Sequence, residues 1–162
     1  PYFDRRDWGL GISETMGNCA LAQEFTPQKT INIKRVAVMA RKAGTNPSDK
    51  LYASLKNLST DRYVFENLVV LEPTEPKTHW RWAEAVTYVT LEKDRNYRLE
   101  IASPASKIEN GYEVIVMRNY YDSPDILATA YLNGGRYSYD TGQTWKEWEK
   151  GVWDLTYFLL HE

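Results

Sequence analysis

Tyrosine and tryptophan dominate what this sequence can do chemically: it carries twelve Tyr and six Trp against four Phe. Each such ring joins a flat apolar face to a hydrogen-bonding edge, a combination suited to surfaces and contacts. A sugar is one partner they fit, because its C–H face lies on a ring while its hydroxyls seek Asp, Asn or Gln nearby. Tyr120-Tyr121-Asp122 lies just past a strand end, with Asn119 and Asp125 close in sequence, and is the leading candidate site. Trp80 and Trp82, interleaved with His79 and Arg81, share one face at strand spacing; burial in the core is the competing reading. Tyr131, Tyr137 and Tyr139 flank the Gly134-Gly135 turn. Trp148 sits among Lys146, Glu147, Glu149 and Lys150, where an apolar ring calls for a contact to explain it.

Catalytic patterns are thin by comparison. The two histidines, His79 and His161, have no metal-ligand spacing and read as surface residues. Cys19 is the single cysteine, so no intrachain disulfide or Cys-rich zinc site can form. No phosphate-cradling glycine loop is present. Glycoside cleavage needs only two carboxylates, which 22 acidic residues supply by chance, so an acid pair here has little meaning by itself.

The scaffold that must position these rings is bounded by length and charge. A chain of 162 residues fits one domain, 1–162, with a core of ordinary size. With 20 basic and 22 acidic residues the net charge is −2, which gives no positive field for nucleic acid or an anionic membrane. No run approaches the ~20 apolar residues of a membrane span, so membrane insertion is not expected. The start at Pro1, without methionine, is read as excision from a larger protein, with covalently linked neighbouring domains.

Short β-like runs divided by turn clusters fill the chain from Leu21 onward, with no sustained helical period. The expected strands are Ala20 to Phe25, Ile31 to Arg41, Leu51 to Lys56, Tyr63 to Leu71, Trp80 to Leu91, Tyr97 to Ala102, Tyr112 to Met117, Ala128 to Leu132 and Trp153 to Leu160. Within the second, apolar residues change parity from Ile31 and Ile33 to Val36, Val38 and Ala40, which predicts a bulge near Lys34-Arg35. A helix over Trp82 to Val86 is the one alternative, opposed by the β-formers Thr87 to Thr90. Nine or ten strands in one domain point to an all-β fold, a jelly-roll-type β-sandwich of two antiparallel sheets.

Ser138, Asp140, Gly142, Thr144 and Trp145 read S-x-D-x-G-x-T-W, which resembles the Asp-box, a small β-hairpin of sialidases and other β proteins. Asp140 can accept hydrogen bonds from its own turn, Gly142 permits positive φ, and Trp145 can fold back over the hairpin. More broadly, Trp8-Gly9-Leu10-Gly11, Leu21 to Thr26, Ile33 to Val38, Asp49-Lys50-Leu51 and the closing Asp154-Leu155 are similar to β-sandwich accessory domains of secreted prokaryotic proteins, which resemble carbohydrate-binding modules. That resemblance implies a secreted or cell-surface location and no required cofactor. It also implies a structural Ca²⁺, for which Asp49 and Asp154 are the candidate ligands and turn capping the alternative.

The expected function is therefore a non-catalytic module that holds a linked enzyme or surface protein on a polysaccharide or oligosaccharide. The alternatives are a structural or protein-interaction domain of a secreted or cell-surface protein, and a small glycan-active lyase or hydrolase.

Overall fold

Strict alternation sets the pattern in strand β4 (Leu51–Asn57), where Leu51, Ala53 and Leu55 are buried while Tyr52 and Lys56 reach the other face. Strand β7 (Tyr97–Ala102) repeats it, with Tyr97, Leu99 and Ile101 inside and Arg98, Glu100 and Ala102 outside. In the computed structural model of the protein, residues 3–76, 79–119, 135–147, 152–155 and 157–161 are described. The remaining strands are β1 (Phe3–Ser13), β2 (Gly17–Phe25), β3 (Ile31–Lys42), β5 (Arg62–Leu71), β6 (Arg81–Leu91), β8 (Tyr112–Asn119), β9 (Gly135–Ser138), β10 (Val152–Leu155) and β11 (Tyr157–His161).

All strand ladders are antiparallel and join into one sheet in the order β11-β3-β8-β1-β2-β7-β4-β5, with β10 beside β8, β6 beside β3 and β9 beside β2. The sheet curls until β5 lies against β6, nearly closing a barrel. Leu10, Leu21, Val36, Val38, Leu55, Leu99, Ile101 and Val114 fill the interior together with Tyr97 and Tyr112. Both buried phenols keep a polar partner, as the cost of burying a hydroxyl demands. The Tyr97 hydroxyl accepts from the Glu92 N–H at 2.8 Å, and the Tyr112 hydroxyl donates to the Asp49 carbonyl at 2.7 Å.

The bulge expected at Lys34-Arg35 is present, since consecutive Leu160 and His161 of β11 pair with Arg35 and Ile33 and leave Lys34 as the extra residue on β3. Trp82 to Val86 is strand rather than helix, held by pairing with β3 from Met39 to Arg35. Strand β1 was not anticipated. Its charged opening, Asp4 to Asp7, and its glycines carry little β signal, yet it pairs with β8 from Phe3 to Leu10 and then transfers to β2 from Gly11 to Ser13. Gly11 makes that change of partner at φ +123°, and the next amide, Ile12 N–H, bonds the Ser106 carbonyl at 2.7 Å.

Lys42 is nearly fully buried, and its ammonium donates to the Pro73 carbonyl at 2.7 Å and to the Glu75 carbonyl, so the loop after β5 is tied to the end of β3. Among the described residues, no helix is long and apolar enough to cross a membrane.

Candidate functional site

The outward-facing residues of β4 and β7 fall into register. Tyr52 lies opposite Ala102, Ser54 opposite Glu100 and Lys56 opposite Arg98. On the other side of β4, Lys56 is opposite Tyr63 of β5, and Ser54 faces the Glu66-Asn67 pair, because Ala53 pairs with Leu68 while Leu55 pairs with Phe65. Two residues against one is a β-bulge. Asn67 takes it at φ +53°, a left-handed conformation that Asn tolerates better than most residues, and its N–H bonds the Ser54 hydroxyl at 2.9 Å. Sequence periodicity here builds one face of a sheet, and the bulge brings both Glu66 and Asn67 to it.

A groove of about 160 Å³ opens on this face. Its floor is small (Ala20, Ser54 and Ala102), its rings are Tyr52, Tyr63 and Trp145, and its polar groups are Glu66, Asn67 and Glu100. Tyr63 is 41% exposed and its hydroxyl donates to Glu100 Oε1 at 2.7 Å, while Arg98 Nε donates to Glu100 Oε2 at 2.8 Å. Burial, then the bond to the Glu100 carboxylate, pushes the Tyr63 phenol well above its ordinary pKa, so it stays a donor at physiological pH. The Lys56 ammonium stands 5.4 Å from the Tyr63 ring centre, and the Arg98 guanidinium 5.3 Å from that of Trp145.

Trp145 reaches the groove from the hairpin that follows β9. There Asp140 Oδ1 accepts from the Thr144 N–H at 2.9 Å and bonds the Ser138 hydroxyl at 2.7 Å, and Oδ2 accepts from the Thr144 hydroxyl at 2.6 Å. The hairpin closes through paired backbone bonds between Tyr137 and Lys146, and turns through Thr141 at φ +61° and Gly142 at φ +82°. A Cβ on Gly142 would stand 2.9 Å from the indole, so the ring lies directly on the glycine. Asn18 docks the hairpin onto β2, donating its N–H to the Tyr139 carbonyl at 2.9 Å and accepting from the Thr141 N–H at 3.0 Å. One local network therefore both folds the turn and sets a wall of the groove.

The same bonds hold the Asp140 carboxyl down to about 2, first through Ser138 and then through Thr144. Because this lies below the unfolded value of about 3.9, the contribution of Asp140 to stability is complete above that pH and fades as pH falls towards about 2. An NMR titration following the Asp140 carboxyl and the Thr144 amide should show one midpoint near the lower value. A midpoint at the ordinary carboxylate position would mean that the hydrogen bonds are not held in solution.

Several expected site residues lie elsewhere. Trp80 is half-buried just before β6, with the Arg41 guanidinium 4.5 Å from its ring centre, and Arg41 also meets Glu113 at 3.5 Å and Asp7 at 3.7 Å. Trp82 is 39% exposed on β6, opposite Met39, and neither indole lines the groove. Tyr137 packs against the core beside Trp8, with ring centres 5.7 Å apart. Tyr120, Tyr121, Asp122, Tyr131 and Trp148 fall outside the described residues.

Asp49 caps a turn: Oδ1 accepts from the Lys50 N–H at 2.8 Å and the Tyr52 hydroxyl at 2.9 Å, and Oδ2 from the Ala105 N–H at 3.1 Å. This orients Tyr52 at the edge of the groove. Asp154 lies in β10, and its backbone pairs with Met117. Among the described residues no three His, Cys, Asp or Glu side chains gather as a metal cluster. Cys19 is buried, which raises its thiol pKa and disfavours the reactive thiolate.

Tyr52, Tyr63, Glu66, Asn67 and Glu100 were not singled out from the sequence. The alternation in β4 does place Tyr52 on the outer face, but the partners it meets there depend on strand pairing. No family model matches the sequence, and no curated protein matches it.

Proposed function

We propose that the protein is a non-catalytic carbohydrate-binding module of jelly-roll β-sandwich type, working outside the cell and holding a linked enzyme or surface protein against a polysaccharide. The observation that carries this reading is the groove in which Tyr52, Tyr63 and Trp145 surround Glu66, Asn67 and Glu100. Flat apolar faces beside carboxylate and amide acceptors are what a pyranose ring requires. The Glu100 carboxylate is already fixed by Tyr63 and Arg98, so its acceptors are presented with little further ordering on binding. The corner formed by Gly11, where β1 leaves β8 for β2, supports two facing layers rather than a smooth cylinder.

Affinity electrophoresis through gels containing neutral, acidic and amino polysaccharides tests the reading. Retardation by at least one polymer is expected, and free migration through all of them would defeat it.

A second reading, a protein-interaction domain, is favoured by a different surface. On β6, Trp82, Val86 and Tyr88 are 39%, 48% and 79% exposed. Free migration in every gel combined with concentration-dependent self-association or partner capture would favour that reading.

A further inference from the structure

The charge around the groove narrows its ligand, on the basis of the saccharide reading above. Its lining holds two carboxylates, Glu66 and Glu100, and no Lys or Arg. The nearest cations are committed to other groups. Arg98 bonds Glu100 and stands over Trp145, while Lys56 pairs with Asp61 at 2.9 Å and stands over Tyr63. Glu66 is exposed on its bulge and makes no ion pair among the described residues.

We infer that the groove selects an amine-bearing sugar, so that its polysaccharide is a chain of de-N-acetylated hexosamine residues. The ammonium of such a ring gains a countercharge from Glu66, while the pyranose body stacks on the aromatic walls. A uronic acid chain would bring its carboxylates against Glu66 and Glu100, which like-charge repulsion opposes. A neutral chain keeps the stacking and leaves Glu66 without a countercharge.

The test is isothermal titration of the whole protein, at mildly acidic pH where the amines are charged, with hexamers of glucosamine, N-acetylglucosamine, glucose and galacturonic acid. The glucosamine hexamer should bind about three- to tenfold tighter than the neutral hexamers, the range expected for a partly exposed charge pair, and the uronate hexamer weakest. Glu66→Gln, with its thermal midpoint checked, should bring the glucosamine and neutral hexamers to near parity. A wild-type protein that prefers a neutral or uronate hexamer, or a Glu66→Gln protein that keeps the full preference, overturns amine selection while leaving saccharide binding standing. Binding of none of the four overturns amine selection here, and the gel series above then decides whether saccharide binding falls with it.

Discussion

Gly11→Ala is expected to lower stability by about 3 kcal/mol or more, or roughly 6–12 °C in thermal midpoint for a chain of this size. Two costs combine. An L-residue is strained at φ +123°, and the new Cβ would collide with the carbonyl oxygen of Ser106, which already accepts from the Ile12 N–H. Backbone on both sides leaves little room to yield. Gly9→Ala is the matched control on the same strand: it has no positive φ, and its Cβ would meet Cγ1 of Ile108 at 2.8 Å, a side chain that can turn aside. Thermal or denaturant unfolding of both variants decides the point. Equal losses would show that β1 does not turn its corner through the special backbone of Gly11.

On the carbohydrate-binding proposal, Tyr63→Ala should weaken saccharide binding about ten- to thirtyfold, the share expected for one ring face that loses its stacked partner. The ring is 41% exposed and stands on strand β5, so its removal leaves the core of Leu55, Leu99 and Ile101 untouched. Tyr63→Phe separates the two roles of the side chain. It keeps the stacking face and removes only the 2.7 Å bond to Glu100, so a loss of only two- to threefold is expected. Affinity electrophoresis on the polymer that retards the wild type measures both. If Tyr63→Ala migrates as the wild type does, the groove is not where the sugar stacks.

Local pattern made much of the fold legible, and pairing between distant strands made the site hard to read. The parity change between Ile33 and Val36 located the β3 bulge, because a one-residue slip changes which face every later side chain occupies. Alternation in β4 puts Tyr52 on the outer face from the sequence alone, whereas the outward position of Glu100 on β7 was not read from the sequence. Their neighbours were not available from pattern. Tyr63 reaches Glu100 across 37 residues of sequence, and Trp145 reaches the groove only because its hairpin docks on Asn18. The Ser138 to Trp145 pattern suggested a turn, but the groove wall it builds depends on β2, β4 and β7 lying beneath it. Strand β1 escaped because alternating charges and glycines hide an edge-to-corner strand from propensity. Trp80 and Trp82 looked like a platform from their spacing, yet strand spacing alone does not say which surface of a curled sheet they join.

The ladder between β4 and β5 shifts register three times, so the ten residues of β5 run beside only seven of β4. A strand with that much surplus length coils rather than lying straight. A second molecule sliding alongside would meet no regular row of amides to copy, and the open end of the sheet is thereby a poor seed for fibrils. At high local concentration, that irregular border keeps neighbouring molecules separate.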